Sequence, residues 1–158
     1  MTDSKAQGKK IKEILTSAKT IAMVGVSSFK KKETSIVIRR PSIIVMKYLQ
    51  EFGYKVIPVN PFSTGSIIHG ESIVSRLEDI NIPVDVVNVF RPSKEVPQIA
   101  EQAVKIGAKA LWLQFGIQNQ KAQEIAVSAN IGYIANRCIK QEYQKLFLKM
   151  RPVFPVLQ

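Results

Sequence analysis

The feature that most restricts the fold is a repeated alternation of short apolar runs with helical segments. Strand-like runs occur at residues 20–26, 54–59, 84–90, 108–114 and 132–135. Short strands that alternate with helices are typical of βαβ units, which build a parallel sheet. Because the crossovers of such units are right-handed, we expect a doubly wound open sheet of about five strands in a three-layer α/β/α domain. The expected strand order is 3-2-1-4-5.

Apolar periodicity and helix-capping residues locate the helices between these strands. Helices are expected at residues 9–19, 41–52, 93–106, 119–129 and 140–150, with a short helical turn near 72–77. The second helix begins either with Pro41 in its first turn or with Ser42 as its N-cap. Ser93 and Asn119 are the expected N-caps of the third and fourth helices.

Length and composition indicate one globular domain. The chain has 158 residues, of which 46% are hydrophobic and 22% charged. We expect a single domain over 1–158, with 1–8 and 151–158 as flexible or peripheral tails. No apolar stretch approaches the ~18 residues of a membrane span, and the polar N-terminus lacks a signal-peptide core, so a cytoplasmic location is expected. The single cysteine, Cys138, excludes an internal disulfide and a cysteine-rich zinc site.

The positive charge is concentrated near the N-terminus. The first 40 residues hold ten Lys and Arg against three acids, which accounts for +7 of the net charge of +11. Such a balance favours anionic partners: phosphorylated ligands, nucleic acid or acidic membrane surfaces. A lysine-rich solvated surface explains the same numbers, so charge alone does not select a partner.

The carboxyl ends of the predicted strands locate the expected ligand site, because ligands of open α/β sheets bind beyond those ends. The residues at these ends are Gly25, Val26 and Ser27, then Asn60 and Pro61, then Phe90, Arg91 and Pro92, and finally Gln114, Phe115 and Gly116. The set contains a glycine turn, an arginine, two amides and aromatic rings, but no acid and no histidine. It is therefore suited to holding an anionic, ring-bearing ligand and poorly suited to moving protons.

Alternative chemistries have weaker support in the sequence. A nicotinamide-dependent oxidoreductase is one alternative, but the turn lacks the G-x-G-x-x-G pattern and the second strand ends in Asn60, where an acid would bind the ribose. No P-loop motif is present. His69, the only histidine, is interpreted as a surface residue, and Cys138 as a buried thiol or a thiol near the ligand. Weak nucleic-acid binding through the basic N-terminal half remains a further alternative, without interleaved aromatic residues to support it.

Several motifs in order give the chain a more specific resemblance. These are IAMVGVS from Ile21, RPS from Arg40, MKYLQEFGYKVIPVNP from Met46, VDVVNVFRPS from Val84, IGAKALWLQFGI from Ile106, and NRC from Asn136. Together they resemble the small stand-alone CoA-binding proteins (YccU-like), which are akin to the CoA-binding domain of the succinyl-CoA synthetase α subunit. The resemblance covers about residues 11–146.

The resemblance implies a Rossmann-like domain that binds coenzyme A or an acyl-CoA. The implied ligand contacts are Gly25, Val26 and Ser27 in the phosphate turn, Arg40 and Ser42 before the second helix, Pro58, Asn60 and Pro61 beside the nucleotide, Phe90 and Arg91 after the third strand, and Gln114 after the fourth. Lys31 and Lys32 belong to a segment that either adds phosphate contacts, lies outside the site or folds over it, and Cys138 is a further candidate beside the ligand. Arginine matches such a ligand because its planar fork forms charge-assisted bonds to phosphate.

The chain also departs from this family pattern. The segment 28–40 is longer and more basic than the usual short loop, and the usual Asp-Arg-Cys-Pro is Asn136-Arg137-Cys138-Ile139. There is no room for the second domain of the synthetase, so ligase activity is not implied. We expect a CoA-binding carrier, sensor or regulatory module with no metal, no membrane and no specific nucleic-acid partner. The sequence leaves the oligomeric state open, and a homodimer is one candidate.

Overall fold

A computed structural model describes residues 2–26 and 41–148. Its helices are α1 (Thr2–Ser17), α2 (Pro41–Glu51), α3 (Val96–Lys105), α4 (Gln120–Ser128) and α5 (Ile139–Tyr143). Its strands are β1 (Thr20–Val24), β2 (Lys55–Val59), β3 (Ile67–Ile68), β4 (Glu71–Ser72), β5 (Val86–Val89), β6 (Ala110–Leu113) and β7 (Gly132–Ile134). The predicted doubly wound α/β architecture is confirmed. The predicted site residues Ser27 and Arg40, the neighbouring Lys31 and Lys32, and the tail 151–158 lie outside the described residues.

Five parallel strands form the sheet in the order β2-β1-β5-β6-β7. The predicted order was wrong in one respect: the third long strand, β5, lies beside β1 and not beyond β2. Pro58 gives the physical reason. Its carbonyl accepts from the Val74 amide, so the backbone position without an N–H faces the outer side of β2. A further strand would need that donor, and β2 is therefore an edge strand.

Side chains alternate across the sheet and form two apolar layers. On the face that we call the back face, Met23 and Trp112 pack with α1, α2 and α5. On the opposite, front face, Val87 and Leu111 pack with α3 and α4. After β1 the chain continues into α2 on the back face, and after β5 it continues into α3 on the front face. The strand order thus reverses at β1 and β5, and their carboxyl ends meet there.

Local predictions at the element ends were correct in part. Asn119 caps α4 as predicted, accepting from the Ala122 amide at 2.9 Å. Ser93 does not cap α3: it begins a 3-10 turn over Ser93–Glu95, and its hydroxyl accepts from the Gln118 amide at 3.3 Å. The helical turn predicted near 72–77 is absent from the described chain, where the β3–β4 hairpin and a 3-10 turn at Leu77–Asp79 occur. Ser72 pairs with Ile67 of β3 and Val74 pairs with Val59 of β2, so the backbone here is extended.

The first and last helices also differ from their predicted limits. α1 begins at Thr2 and not at residue 9, because Lys, Ala and Gln propagate a helix before the apolar stripe starts. The side chains of 4–10 are mostly exposed. At the other end, α5 covers Ile139–Tyr143 and continues as a π-helical turn over Gln144–Leu148.

Candidate functional site

The turn after β1 lies directly against the end of β5. Gly25 has a φ of +105°, a conformation that favours glycine. A Cβ at this position would lie 3.0 Å from the Phe90 carbonyl oxygen and 3.0 Å from Cδ of Arg91. The Gly25 amide donates to the Val59 carbonyl at 3.0 Å, which ties the turn to β2 as well. The glycine therefore allows the Arg91 side chain to cross the backbone of the turn.

Asn60 fixes the end of β2 to the same turn. Its Nδ2 donates to the Val26 carbonyl at 2.9 Å, and its Oδ1 accepts from the Phe62 amide at 2.8 Å. Val26 itself is fully buried. Both ends of the Asn60 amide are thus occupied by backbone groups. A carboxylate here could not donate to Val26, which explains why an amide suits this position.

Arg91 forms a two-pronged ion pair with Glu95 at the beginning of α3. The Arg91 Nε donates to Oε1 at 2.9 Å, and Nη2 donates to Oε2 at 2.7 Å. The hydrogen bond from Arg91 holds the pKa of Glu95 below its usual range, and the same bond raises the pKa of Arg91. The two side chains are 40% and 38% exposed, so this pair lies at the surface, where ligands have access.

A cavity of about 200 Å³ opens beside this pair on the front face. Its lining combines buried apolar residues with polar side chains and comprises Val24, Gly25, Val59, Asn60, Pro61, Phe62, Ser75, Arg76, Leu77, Arg91, Glu95, Gln98, Ile99 and Gln102. Phe62 is 91% exposed, whereas Leu77 is buried. Apolar walls with a few polar groups are typical of small-molecule sites. Four predicted contacts meet here: Gly25, Asn60, Pro61 and Arg91.

Other predicted contacts do not line this cavity. Phe90 and Cys138 pack against the back-face core. Gln114 is buried, and its Oε1 accepts from the Ile139 amide at 3.4 Å. Ser42 is buried in the first turn of α2, and Pro58 is buried in the edge strand. The roles of these residues toward a ligand therefore stay predictions.

Several residues of the cavity were not predicted from the sequence. Ser75 and Arg76 reach it because the backbone of Val74 pairs with β2, an arrangement that no local pattern predicts. Gln98 and Gln102 are one turn apart on α3 and face the same cavity. Glu95 had a readable signal, since it stands four residues after Arg91, the spacing of an ion pair on a helix.

Within residues 2–26 and 41–148, no group of three or more His, Cys, Asp or Glu is placed to hold a metal ion. No helix among the described residues is long and apolar enough to cross a membrane. The charges lining the cavity are those of Arg76, Arg91 and Glu95. The described part of the site is thus equipped to bind an anion.

Comparison with known families identifies the domain. A family model described as a CoA binding domain matches residues 19–144. The chain belongs to this CoA-binding domain family. The match extends from the beginning of β1 to the π-helical turn after α5, so it includes every strand of the sheet and every wall of the cavity.

The chain is also similar to individual proteins over most of its length. The uncharacterized protein YneT of Bacillus subtilis (strain 168) is 38% identical over 130 residues, covering 82% of this chain and 89% of the relative. The solved structure of cell-free ID.343 from Thermus thermophilus is 34% identical with a TM-score of 0.77, covering 89% of this chain and 98% of that chain. The apo dinucleotide-forming acetyl-coenzyme A synthetase 1 of Ca. Korarchaeum cryptofilum has a TM-score of 0.61 and 24% identity, covering 78% of this chain and 27% of the synthetase. The last comparison shows a shared fold.

Proposed function

We propose that this protein binds coenzyme A or an acyl-CoA at the front-face cavity and acts as a carrier, sensor or regulatory module. The observation that carries the proposal is the contact between Gly25 and Arg91, which lies at the reversal of strand order. It combines a close backbone turn with a guanidinium fork at the position where α/β sheets bind nucleotides. Membership of the CoA-binding domain family supports coenzyme A as the ligand.

The shape and charge of the site support one orientation of the ligand. A cavity of about 200 Å³ is smaller than a typical complete ligand pocket, so it accommodates one end of an extended molecule. In this proposal the ring system lies against the apolar wall near Leu77 and Ile99, beneath Phe62. The phosphates then lie at the rim, within reach of Arg91 and Arg76. The rest of the ligand extends over the Gly25 turn.

Isothermal titration calorimetry with CoA, acetyl-CoA and NAD tests the proposal. We expect both CoA species to bind and NAD to bind much more weakly, because Asn60 offers no carboxylate to a ribose. Arg91→Ala should weaken CoA binding by about 1.5–3 kcal/mol, or about 10- to 150-fold, if a charged hydrogen bond to phosphate is lost.

Lys109→Ala is the matched control for that variant. It also removes one positive charge, but Lys109 is 79% exposed. It lies beside Asp85 at the amino ends of β5 and β6, whereas the cavity lies at the carboxyl ends of the strands. Its affinity for CoA should stay within about twofold of the wild type. Absence of heat with every CoA species would refute the proposed function, and an unchanged affinity in Arg91→Ala would remove that residue from the site.

A further inference from the structure

Arg91 binds Glu95 in the same two-pronged geometry in which it would bind a phosphate. A guanidinium fork binds carboxylates and phosphates through the same pair of parallel N–H donors. Here Nε and Nη2 of Arg91 are both directed at the Glu95 carboxylate, at 2.9 and 2.7 Å. The edge of Arg91 that is best suited to a phosphate is therefore occupied by a group of the chain itself.

Within residues 2–26 and 41–148, the Glu95 side chain makes no bond other than that to Arg91, so the fold does not depend on its position. It precedes α3 as the N-cap residue, yet its side chain forms no capping hydrogen bond. Among the described residues, its carboxylate bonds to Arg91 alone. The pair is also more than one-third exposed, a setting in which ion pairs contribute little to stability. Replacement of this carboxylate by another anion should therefore change the free energy of unfolding little.

The same carboxylate lines the cavity together with Arg91. An anion that enters therefore encounters a neutralised guanidinium and a nearby negative charge. A ligand with one charge gains little by displacing Glu95. A ligand with several phosphate charges can also engage, at the same rim, Arg76, which is 62% exposed and whose contacts to Glu78 and Asp79, at 3.3 and 3.6 Å, are longer than the bonds between Arg91 and Glu95. Such an arrangement selects against simple anions.

We propose that Glu95 is an internal counter-ion that occupies the Arg91 fork in the free protein and competes with the ligand phosphate for it. Glu95 thereby lowers the affinity of the site for every anion and sets its selectivity for multiply charged ligands. This inference rests on the proposed function for the identity of the natural ligand, but the competition itself involves any phosphate.

Glu95→Gln tests the competition by calorimetry with CoA. We expect affinity to increase about three- to tenfold at low salt, with a steeper loss of affinity as salt is added. Glu101→Gln is the matched control, since it removes a carboxylate from an exposed position on the same helix, away from the cavity. Its affinity should remain within twofold of the wild type. Equal or weaker CoA binding by Glu95→Gln would overturn the inference while leaving CoA binding itself established.

A second measurement separates this inference from the proposed function. The Nε–H resonance of Arg91, assigned by its loss in Arg91→Lys, is followed by NMR during titration with inorganic pyrophosphate. We expect the resonance to shift at a lower pyrophosphate concentration in Glu95→Gln than in the wild type. If CoA fails to bind but this difference is observed, the proposed function fails and the counter-ion role stands. A resonance that responds equally in both proteins, or in neither, overturns the counter-ion role.

Discussion

Near the carboxyl ends of the strands, the two faces of the sheet differ in the exposure of their polar side chains. On the front face, the side chains of Arg91 and Glu95 are partly exposed and line a cavity. On the back face, Asn88 is fully buried and donates to the Trp112 carbonyl at 3.3 Å and to Gln114 at 3.5 Å. The front-face side chains bond to each other at the surface, beside a cavity, whereas the back-face amides bond to each other and to the backbone inside the core. Position at a strand end thus does not distinguish binding from support.

Alternation along a strand explains how neighbouring residues come to differ in this way. Phe90 and Arg91 are consecutive, yet Phe90 packs against the back-face core and Arg91 lines the front-face cavity. The turn at Gly25 lies between these two environments. Variants that affect one side and spare the other therefore test whether the ligand site is confined to the front face.

The largest effect is expected at Gly25, where the two sides meet. Gly25→Ala should lower the free energy of unfolding by about 2–4 kcal/mol, because the positive φ and the contacts at 3.0 Å are both unfavourable for a Cβ. It should also weaken CoA binding more than tenfold, since Arg91 must move. Chemical denaturation and calorimetry provide the two measurements.

Gly53→Ala is the control for the backbone contribution. Gly53 has a φ of +98°, but a Cβ there would meet no atom within 4 Å. We expect a loss of about 1–2 kcal/mol from conformation alone and no change in CoA affinity. Equal losses of stability in the two variants would show that the approach of Arg91 to the turn is unimportant.

The general architecture could be predicted from the sequence because it depends on local signals. Apolar runs, helix periodicity and the Asn119 cap each act over a few residues. The strand order could not be predicted in the same way, because it depends on which edge of β2 faces outward. Pro58 indicates that β2 lacks one backbone N–H. Only the hydrogen bond from the Val74 amide to the Pro58 carbonyl shows that this position faces away from β1.

The candidate site was predictable to the same limited extent. The rule of strand ends selected Gly25, Asn60 and Arg91, which the fold brings together around one cavity. It did not distinguish Gln114, which bonds inward to the Ile139 amide. Nor did it find Arg76, whose place depends on pairing between distant segments. Local sequence patterns thus identify strand ends more readily than the face to which each side chain points.

A pair of asparagines gives the next largest effects and the most direct comparison of the faces. Asn60→Ala removes two hydrogen bonds on the front side, one donated to the Val26 carbonyl and one accepted from the Phe62 amide. Asn88→Ala removes the side-chain amide that donates to the Trp112 carbonyl and to Gln114 on the back face. Each should reduce the free energy of unfolding by about 1–3 kcal/mol. Only Asn60→Ala should weaken CoA binding, by about tenfold, because it releases the turn beside the cavity. Weakening of similar size in Asn88→Ala, measured by calorimetry, would mean that the ligand extends to the back face.

The smallest effect is expected at Tyr54, a buried back-face residue remote from the cavity. Its hydroxyl donates to the Leu15 carbonyl at 2.6 Å, and burial raises its pKa from 10.0 to about 12. Tyr54→Phe should cost about 0.5–1.5 kcal/mol of stability at neutral pH, without any change in CoA affinity.

The alkaline pH dependence sharpens the same test. Between pH 10 and about 12 the unfolded chain releases the Tyr54 proton while the folded protein retains it. The folded state then binds more protons, so wild-type stability falls as pH rises through this window. Tyr54→Phe lacks this contribution, so the stability advantage of the wild type should shrink from pH 10 upward and then change sign, because two pKa units correspond to about 2.7 kcal/mol. Denaturant titrations across this range would contradict the assignment if the difference stayed constant, since Tyr54 would then ionise alike in the folded and unfolded states.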